Sequence, residues 1–235
     1  MFWTRKKNKQ KLIQDKLDLI DFVFTSRDVH SFADLGGVWG VDGGYTFYSL
    51  DTYKVSRAVL VDRYFSNIAT EQSKKYSQLR LLQGDFGDER IVNDIGQVDT
   101  IFLFDILLHQ VSPDWGQILE MYAPTSKCLI IYNQQWIGTN STVRLIDLGE
   151  QEYFKNIPHS RTEAPYDTLF RNLHQQHPDQ GKLWKDAQNI WQWGITDTDL
   201  LTKVASLGFQ LQFYKNCGQG WNTKNFENHA FVFNK

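Results

Sequence analysis

The sequence has only two cysteines, Cys128 and Cys217, in 235 residues. They have neither a metal-ligand spacing nor the number that a disulfide framework needs. It has no basic surplus either: 25 Lys and Arg stand against 27 Asp and Glu, a net charge of −2. A domain that grips nucleic acid carries a basic balance, because phosphate neutralisation supplies most of its non-specific affinity. Only residues 1–11, with Arg5, Lys6, Lys7, Lys9 and Lys11 and no acid, are locally basic, which is the pattern of a solvated tail. No apolar run reaches the ~20 residues of a membrane span. The basic start is not followed by the apolar stretch and cleavage site of a leader. Internal repeats and low-complexity segments are also missing. These absences predict a cytoplasmic protein in a reducing setting, with no nucleic-acid, membrane or metal partner.

The chain is 41% hydrophobic, enough for one sizeable core, so a single domain over 1–235 is expected. Leu12, Ile13, Leu17, Ile20 and Phe24 recur at helical spacing and predict an N-terminal helix from about 9 to 26, within a segment 1–30. Strand and helix patterns then alternate. Predicted strands fall at "FADL" (32–35), 57–62, 79–86, 98–107 and 127–133, with helical segments between them. Short apolar strands separated by amphipathic helices imply a parallel sheet with helices on both faces. Residues 31–133 form this core. Residues 134–195 hold Trp136, Trp184, Trp191 and Trp193 and few periodic runs, and read as an insertion. A last helix over 196–209, capped by Thr196 or Asp197 and stopped at Gly208, precedes two strands, 210–216 and 228–234, expected to lie antiparallel. The predicted fold is a Rossmann-like three-layer α/β sandwich with a mostly parallel seven-stranded sheet and an antiparallel last strand.

The stretch "SFADLGGVWGVDGGYTFYSL" (31–50) runs from strand through a glycine loop into helix. A dinucleotide site wants G-x-G-x-x-G after the strand, and Gly36, Gly37, Gly40, Gly43 and Gly44 do not fall into that spacing. Asp34 ends the strand before the glycines. An acid there repels a pyrophosphate and suits a ligand bearing an ammonium group. On "DLGGVWG" the chain resembles the class I S-adenosylmethionine-dependent methyltransferases, whose first motif is acid-x-Gly-x-Gly-x-Gly. Val38 stands where the central glycine belongs, and a lengthened loop with Gly43–Tyr45 in the later positions is the preferred alignment. The resemblance implies further roles, each after its own strand. Asp34, Gly36, Gly37 and Gly43 would bind the cofactor, Asp62 in "AVLVD" its ribose hydroxyls, and Asp85 and Phe86 in "QGDF" its adenine. Asp105 in "DTIFLFDILLHQV" would lie near the methionine end of that cofactor. The two closing strands match the family's reversed final strand.

Methyl transfer from a sulfonium is an in-line displacement that needs alignment and exclusion of water more than covalent help. His109, one helical turn past Asp105, is the candidate general base, since imidazole titrates near neutral pH. Tyr132 and Asn133 end the fifth strand on the same rim and are candidate acceptor contacts. The insertion sits where the family often builds an acceptor cover, and its charges nearly balance, so a small molecule is the expected acceptor. Trp136, Trp184 and Trp191, with Tyr153 and Tyr166, either wall that acceptor or form core. Part of the insertion is expected to be a mobile cover. The family's Asn/Asp-Pro-Pro-aromatic box and Pro-Cys nucleophile are both missing, which favours oxygen as the methylated atom. A catechol-type metal site would want acids after both strand four and strand five; Asp105 and Asn133 match only in part, so no metal is assigned. Two other readings stay open: a non-catalytic cofactor-binding protein on the same fold, and a dinucleotide-dependent oxidoreductase.

Overall fold

Residues 11–221 and 223–235 are described by a computed structural model. Arg5, Lys6, Lys7 and Lys9, and the predicted helix start near residue 9, lie outside the described residues. By compactness the chain divides into Met1–Ile101 and Phe102–Lys235.

In the first unit, α1 (Gln14–Ser26) turns Lys16, Leu19, Ile20, Val23 and Phe24 inward. That i, i+3, i+4, i+7, i+8 spacing is one stripe of a helix. β1 (Ser31–Leu35) and β2 (Arg57–Asp62) are almost wholly buried. They pair in parallel with Phe32 opposite Ala58 and Leu35 opposite Val61. Both faces of these strands are covered, so "FADL" and "AVLV" are continuous apolar runs without alternation. β3 (Leu79–Gln83) joins β2, also in parallel, and is only half-buried. Between them run α2 (Gly44–Thr52), α3 (Asn67–Ser73, capped by the Ser66 hydroxyl) and α4 (Glu89–Ile95). β4 (Val98–Phe104) follows, and the division between the units falls within it.

In the second unit, a capping box of Asp114 and Gln117 opens α5 (Trp115–Tyr122). β5 (Ser126–Trp136) then pairs antiparallel with β9 (Phe226–Asn234), from Cys128 opposite Asn234 to Trp136 opposite Phe226. Here the structure corrects the expected boundary: Gln134, Gln135 and Trp136 belong to β5 and not to the insertion. The remaining segment holds β6 (Val143–Arg144), α6 (Glu150–Asn156), α7 (Tyr166–Leu169) and β7 (Trp193–Gly194), with β6 and β7 paired antiparallel. Thr196 caps α8 (Asp197–Ser206), its hydroxyl accepting from the Asp199 N–H. Gly208 follows at φ +86°, a left-handed stop suited to glycine. β8 (Gln210–Asn216) pairs antiparallel with β9.

The main sheet has seven strands in the order β3-β2-β1-β4-β5-β9-β8. It is mostly parallel, with β9 the reversed strand, as the sequence predicts. Among the described residues, no helix is long and apolar enough to cross a membrane.

Candidate functional site

In parallel strands the carboxyl ends share one edge, where ligands of open α/β sheets bind. In the first unit that edge carries Asp34, Asp62 and Asp85. Residues 36–43 form a run of turns between β1 and α2, with Gly36, Gly40 and Gly43 at φ +70°, +79° and +81°. Side chains strain in that region, so three glycines are placed where the backbone requires them. Gly37 is small for a different reason: a Cβ there would lie 2.3–2.6 Å from the carboxylate atoms of Asp34. The loop backbone therefore rests directly on that carboxylate.

Asp34 is 1% exposed. Its Oδ2 accepts a 2.7 Å hydrogen bond from the Thr46 hydroxyl, while Oδ1 has no hydrogen-bond partner. Burial pushes its carboxyl up to about 6; the Thr46 bond opposes the rise, the charge of Asp62 adds to it and that of Lys16 opposes it. An unpartnered buried carboxylate oxygen costs free energy that a cationic ligand group recovers.

Asp62 is already engaged. Its Oδ2 accepts from the Val38 N–H at 3.0 Å and its Oδ1 from the Tyr64 N–H at 3.4 Å. Burial raises its pKa, and backbone bonds from Val38, Tyr64, Arg63 and Trp39 oppose the rise. Of the roughly four lone-pair sites of a carboxylate, the Val38 and Tyr64 bonds take one on each oxygen. Asp85 Oδ1 accepts from the Gly87 N–H at 2.9 Å, and Phe86 is buried. Asp85 also lines an open cleft of about 580 Å³ with Arg63, Tyr64, Gln83, Gly84 and Asp88. The sequence reading missed Arg63 and Tyr64. The signal is "DRYF", which places a cation and a 75% exposed tyrosine directly after Asp62.

In the second unit, Asp105 leaves β4 at φ +56°, a conformation rare for a residue with a side chain and common at functional sites. Its N–H donates to the Tyr132 carbonyl at 2.8 Å, and its Oδ1 accepts from Gln134 Nε2 at 2.7 Å. The Gln134 amide also donates to Asn228 Oδ1 at 3.2 Å. Gln134 and Asn228 are further residues that the sequence reading did not single out.

His109 ends the one-turn segment Leu107–His109. Its Nδ1 lies 2.7 Å from the Ile190 carbonyl. A carbonyl only accepts, so Nδ1 carries the hydrogen and Nε2 is left as the acceptor of the neutral ring. Burial lowers its pKa, and the Ile190 bond and the charge of Asp105 oppose the fall. The segment that supplies Ile190 is itself tied down: the Gln192 N–H donates to the Leu108 carbonyl at 3.1 Å, and Trp193 Nε1 donates to the Gln110 carbonyl.

The expected acceptor wall is corrected by the structure. Trp136 and Trp191 are 5% and 4% exposed, each 5.0 Å from Phe226 between ring centroids. With Tyr153, Tyr166 and Leu169 they form one buried cluster that ties β5 and β9 to the insertion, and Trp184 packs at its margin. Tyr132 and Asn133 are buried as well; Asn133 Nδ2 donates to Gln135 Oε1 at 2.9 Å, and its Oδ1 has no partner. Burial of large aromatic area is what holds this weakly periodic segment together. Trp136→Ala is therefore expected to cost about 3–5 kcal/mol of folding stability, read from urea denaturation; a cost under about 1 kcal/mol would contradict a core role.

A glycine loop after β1, acids ending β1 and β2, and a reversed β9 together make the fold of the class I S-adenosylmethionine-dependent methyltransferases. Solved structures agree. The chain is similar to the N-terminal domain of EvdMO1, crystallised in the presence of SAH and D-fucose, at 12% identity and a TM-score of 0.59, over 94% of this chain and 83% of that one. It is similar to 1,6-didemethyltoxoflavin-N1-methyltransferase of Burkholderia thailandensis, with bound 1,6-didemethyltoxoflavin and S-adenosylhomocysteine. The identity there is 11% and the TM-score 0.57, over 94% of this chain and 76% of that one. It is also similar to magnesium protoporphyrin IX methyltransferase of Synechocystis PCC 6803 with bound SAH, at 11% identity and a TM-score of 0.55, over 94% and 82%. No family model matches the chain, and no curated protein does.

Proposed function

We propose that the chain is an S-adenosylmethionine-dependent methyltransferase that acts as one domain, in the cytoplasm, on a small-molecule acceptor, at oxygen. The observation that carries this reading is Asp34. A buried carboxylate with an unpartnered oxygen, cradled by Gly37 at the head of a glycine loop, fits an ammonium group and repels a pyrophosphate. The same acid disfavours a dinucleotide oxidoreductase. When bound, the cofactor supplies a methyl group on a sulfonium, already activated for displacement.

The residues of the chain then bind, orient and move a proton. Asp34 takes the ammonium. Asp62 accepts from the ribose hydroxyls while holding the loop through Val38. Asp85, with Phe86 beside it, receives the adenine amino group, and the exposed ring of Tyr64 offers a stacking face in the same cleft. Asp105 is assigned to the cofactor from the family pattern, its carboxylate held in place by Gln134. His109 takes the acceptor's proton on Nε2. The insertion covers the acceptor, and its segment 190–193 supports this role by bonding directly to residues 108–110.

Calorimetric titration with S-adenosylmethionine, S-adenosylhomocysteine and NADP tests the reading. Binding of the first two without the third is expected; stabilisation by the dinucleotide alone would overturn it. Binding with no turnover across a panel of hydroxylated acceptors would favour the non-catalytic alternative. Asp62→Ala is expected to weaken cofactor binding by about 1.5–3 kcal/mol, the scale of charged hydrogen bonds. Equal affinities in the same titration would remove Asp62 from the ribose role.

A further inference from the structure

The insertion places a second histidine near His109. His159 Nδ1 lies 3.1 Å from Glu163 Oε2, and the other oxygen of Glu163 accepts from the Ser160 N–H at 3.1 Å. Those two bonds hold the Glu163 carboxyl below its ordinary value. An ionised carboxylate only accepts, so His159 Nδ1 carries the hydrogen and Nε2 is the nitrogen left over. An exposed ion pair of this kind is ordinarily loose and worth little. This ring is fixed on a second side: it stacks on Tyr166, 4.7 Å between centroids and 19° between planes. It stays 32% exposed, so it is held and still open to a ligand. Tyr166 belongs to the buried aromatic cluster and bonds the Trp191 backbone. The residue before, Ile190, fixes His109, whose ring meets Trp191 edge-on at 6.4 Å. Both imidazoles are thus positioned from the same two residues, each with Nδ1 tied to an oxygen. They also sense each other: burial dominates the lowered pKa of His109, and the charge of His159 adds to the fall.

We propose that His159, oriented by Glu163, binds a carboxylate on the methyl acceptor, which is therefore a hydroxylated carboxylic acid. This rests on the proposed methyltransferase reading and names the class of its acceptor. A base that takes a hydroxyl proton is neutral, and a neutral imidazole has one hydrogen, which His109 gives to Ile190. His109 therefore has no hydrogen bond to donate, and a second group has to orient the acceptor. His159 meets that need in its charged form. Its Nδ1–H stays on Glu163, and its Nε2–H donates to an anion, a charge-assisted bond stronger than a neutral one. A cation beside His109 also opposes protonation of the base, and the acceptor's carboxylate offsets that cation only when the site is filled. A neutral acceptor would leave it facing no opposite charge. Arg161 is committed elsewhere: its guanidinium lies 5.2 Å over the Phe154 ring and its Nε 3.9 Å from Glu150.

Aromatic hydroxy acids, each paired with its primary amide, are the probes, and release of S-adenosylhomocysteine is the readout. The wild-type protein is expected to prefer the acids roughly 10- to 100-fold in kcat/KM, the range of a charge-assisted bond. His159→Gln keeps a polar side chain and removes the cation. It should bring acid and amide to within about threefold, by raising KM for the acids with kcat little changed. Glu163→Gln should act in the same direction more weakly, because it keeps the ring and loosens its orientation. Calorimetry should show S-adenosylhomocysteine affinity unchanged in both variants. Amides turned over as well as acids by the wild type, or an acid preference intact in His159→Gln, would overturn the assignment and leave the methyltransferase reading standing. So would a kcat loss shared equally by acids and amides, which is the mark of a structural role. Cofactor binding without turnover of any acid would overturn the assignment as well, and failure to bind the cofactor would overturn both.

Discussion

Asp34→Asn should make the unliganded protein more stable at pH 7.5 and leave it unchanged at pH 4. The sign follows from the raised pKa. Burial holds the Asp34 carboxyl at about 6, against an ordinary 3.8, so the folded state binds this proton more tightly than the unfolded chain. Stability is therefore greatest below the unfolded value, falls as pH rises from 3.8 through 6, and is level beyond. At about 1.4 kcal/mol per pH unit the loss is of order 3 kcal/mol. Asparagine still accepts the Thr46 hydrogen bond and carries no charge, so it removes the loss. Ligand binding should respond in the opposite sense. An ammonium group favours the ionised carboxylate, so the affinity of wild type for S-adenosylhomocysteine should fall roughly tenfold per unit as pH drops below about 6. The asparagine variant should bind weakly at every pH and lose that slope. Urea denaturation at pH 4 and 7.5, with calorimetry over the same range, reads both effects. A variant with wild-type pH dependence in both would show that Asp34 neither titrates near 6 nor holds the ligand.

The parts legible in the sequence are those set by local apolar pattern. β1 and β2 are buried on both faces, so their apolar runs are bounded by the turn residues that end them, and Asp34 and Asp62 could be placed at their mouths from spacing. The end of β5 was not legible, because Asn133, Gln134 and Gln135 are polar. They extend the strand through pairing with His229, Asn228 and Glu227, partners more than 90 residues away that no local pattern reveals. The aromatic residues of the insertion failed for a related reason. Composition cannot separate a wall from a core, and the packing of Trp136 and Trp191 is decided by Phe226, which lies outside the segment.

His109→Ala should slow methyl transfer by about 10²–10⁴-fold, the scale of general-base assistance, while leaving S-adenosylhomocysteine affinity intact. The Ile190 carbonyl holds the hydrogen of the ring on Nδ1, so Nε2 is the atom free to take the acceptor's proton. Because burial lowers the pKa of His109 below its ordinary 6.5, the neutral ring persists to lower pH, and the acid limb of the rate profile should fall below that value. The loss in His109→Ala should shrink at high pH for an acceptor whose hydroxyl ionises unaided. His109→Gln discriminates between base and spacer. A glutamine amide can donate to the Ile190 carbonyl as Nδ1 does, but it cannot take a proton, so it restores position without basicity. If His109 is the base, His109→Gln should be nearly as slow as His109→Ala, and both should lose the acid limb. If the histidine only fixes segment 107–110, glutamine should restore most of the rate with an unchanged pH profile. Single-turnover rates of both variants across pH separate these outcomes, and rescue by glutamine would end the assignment of His109 as the base.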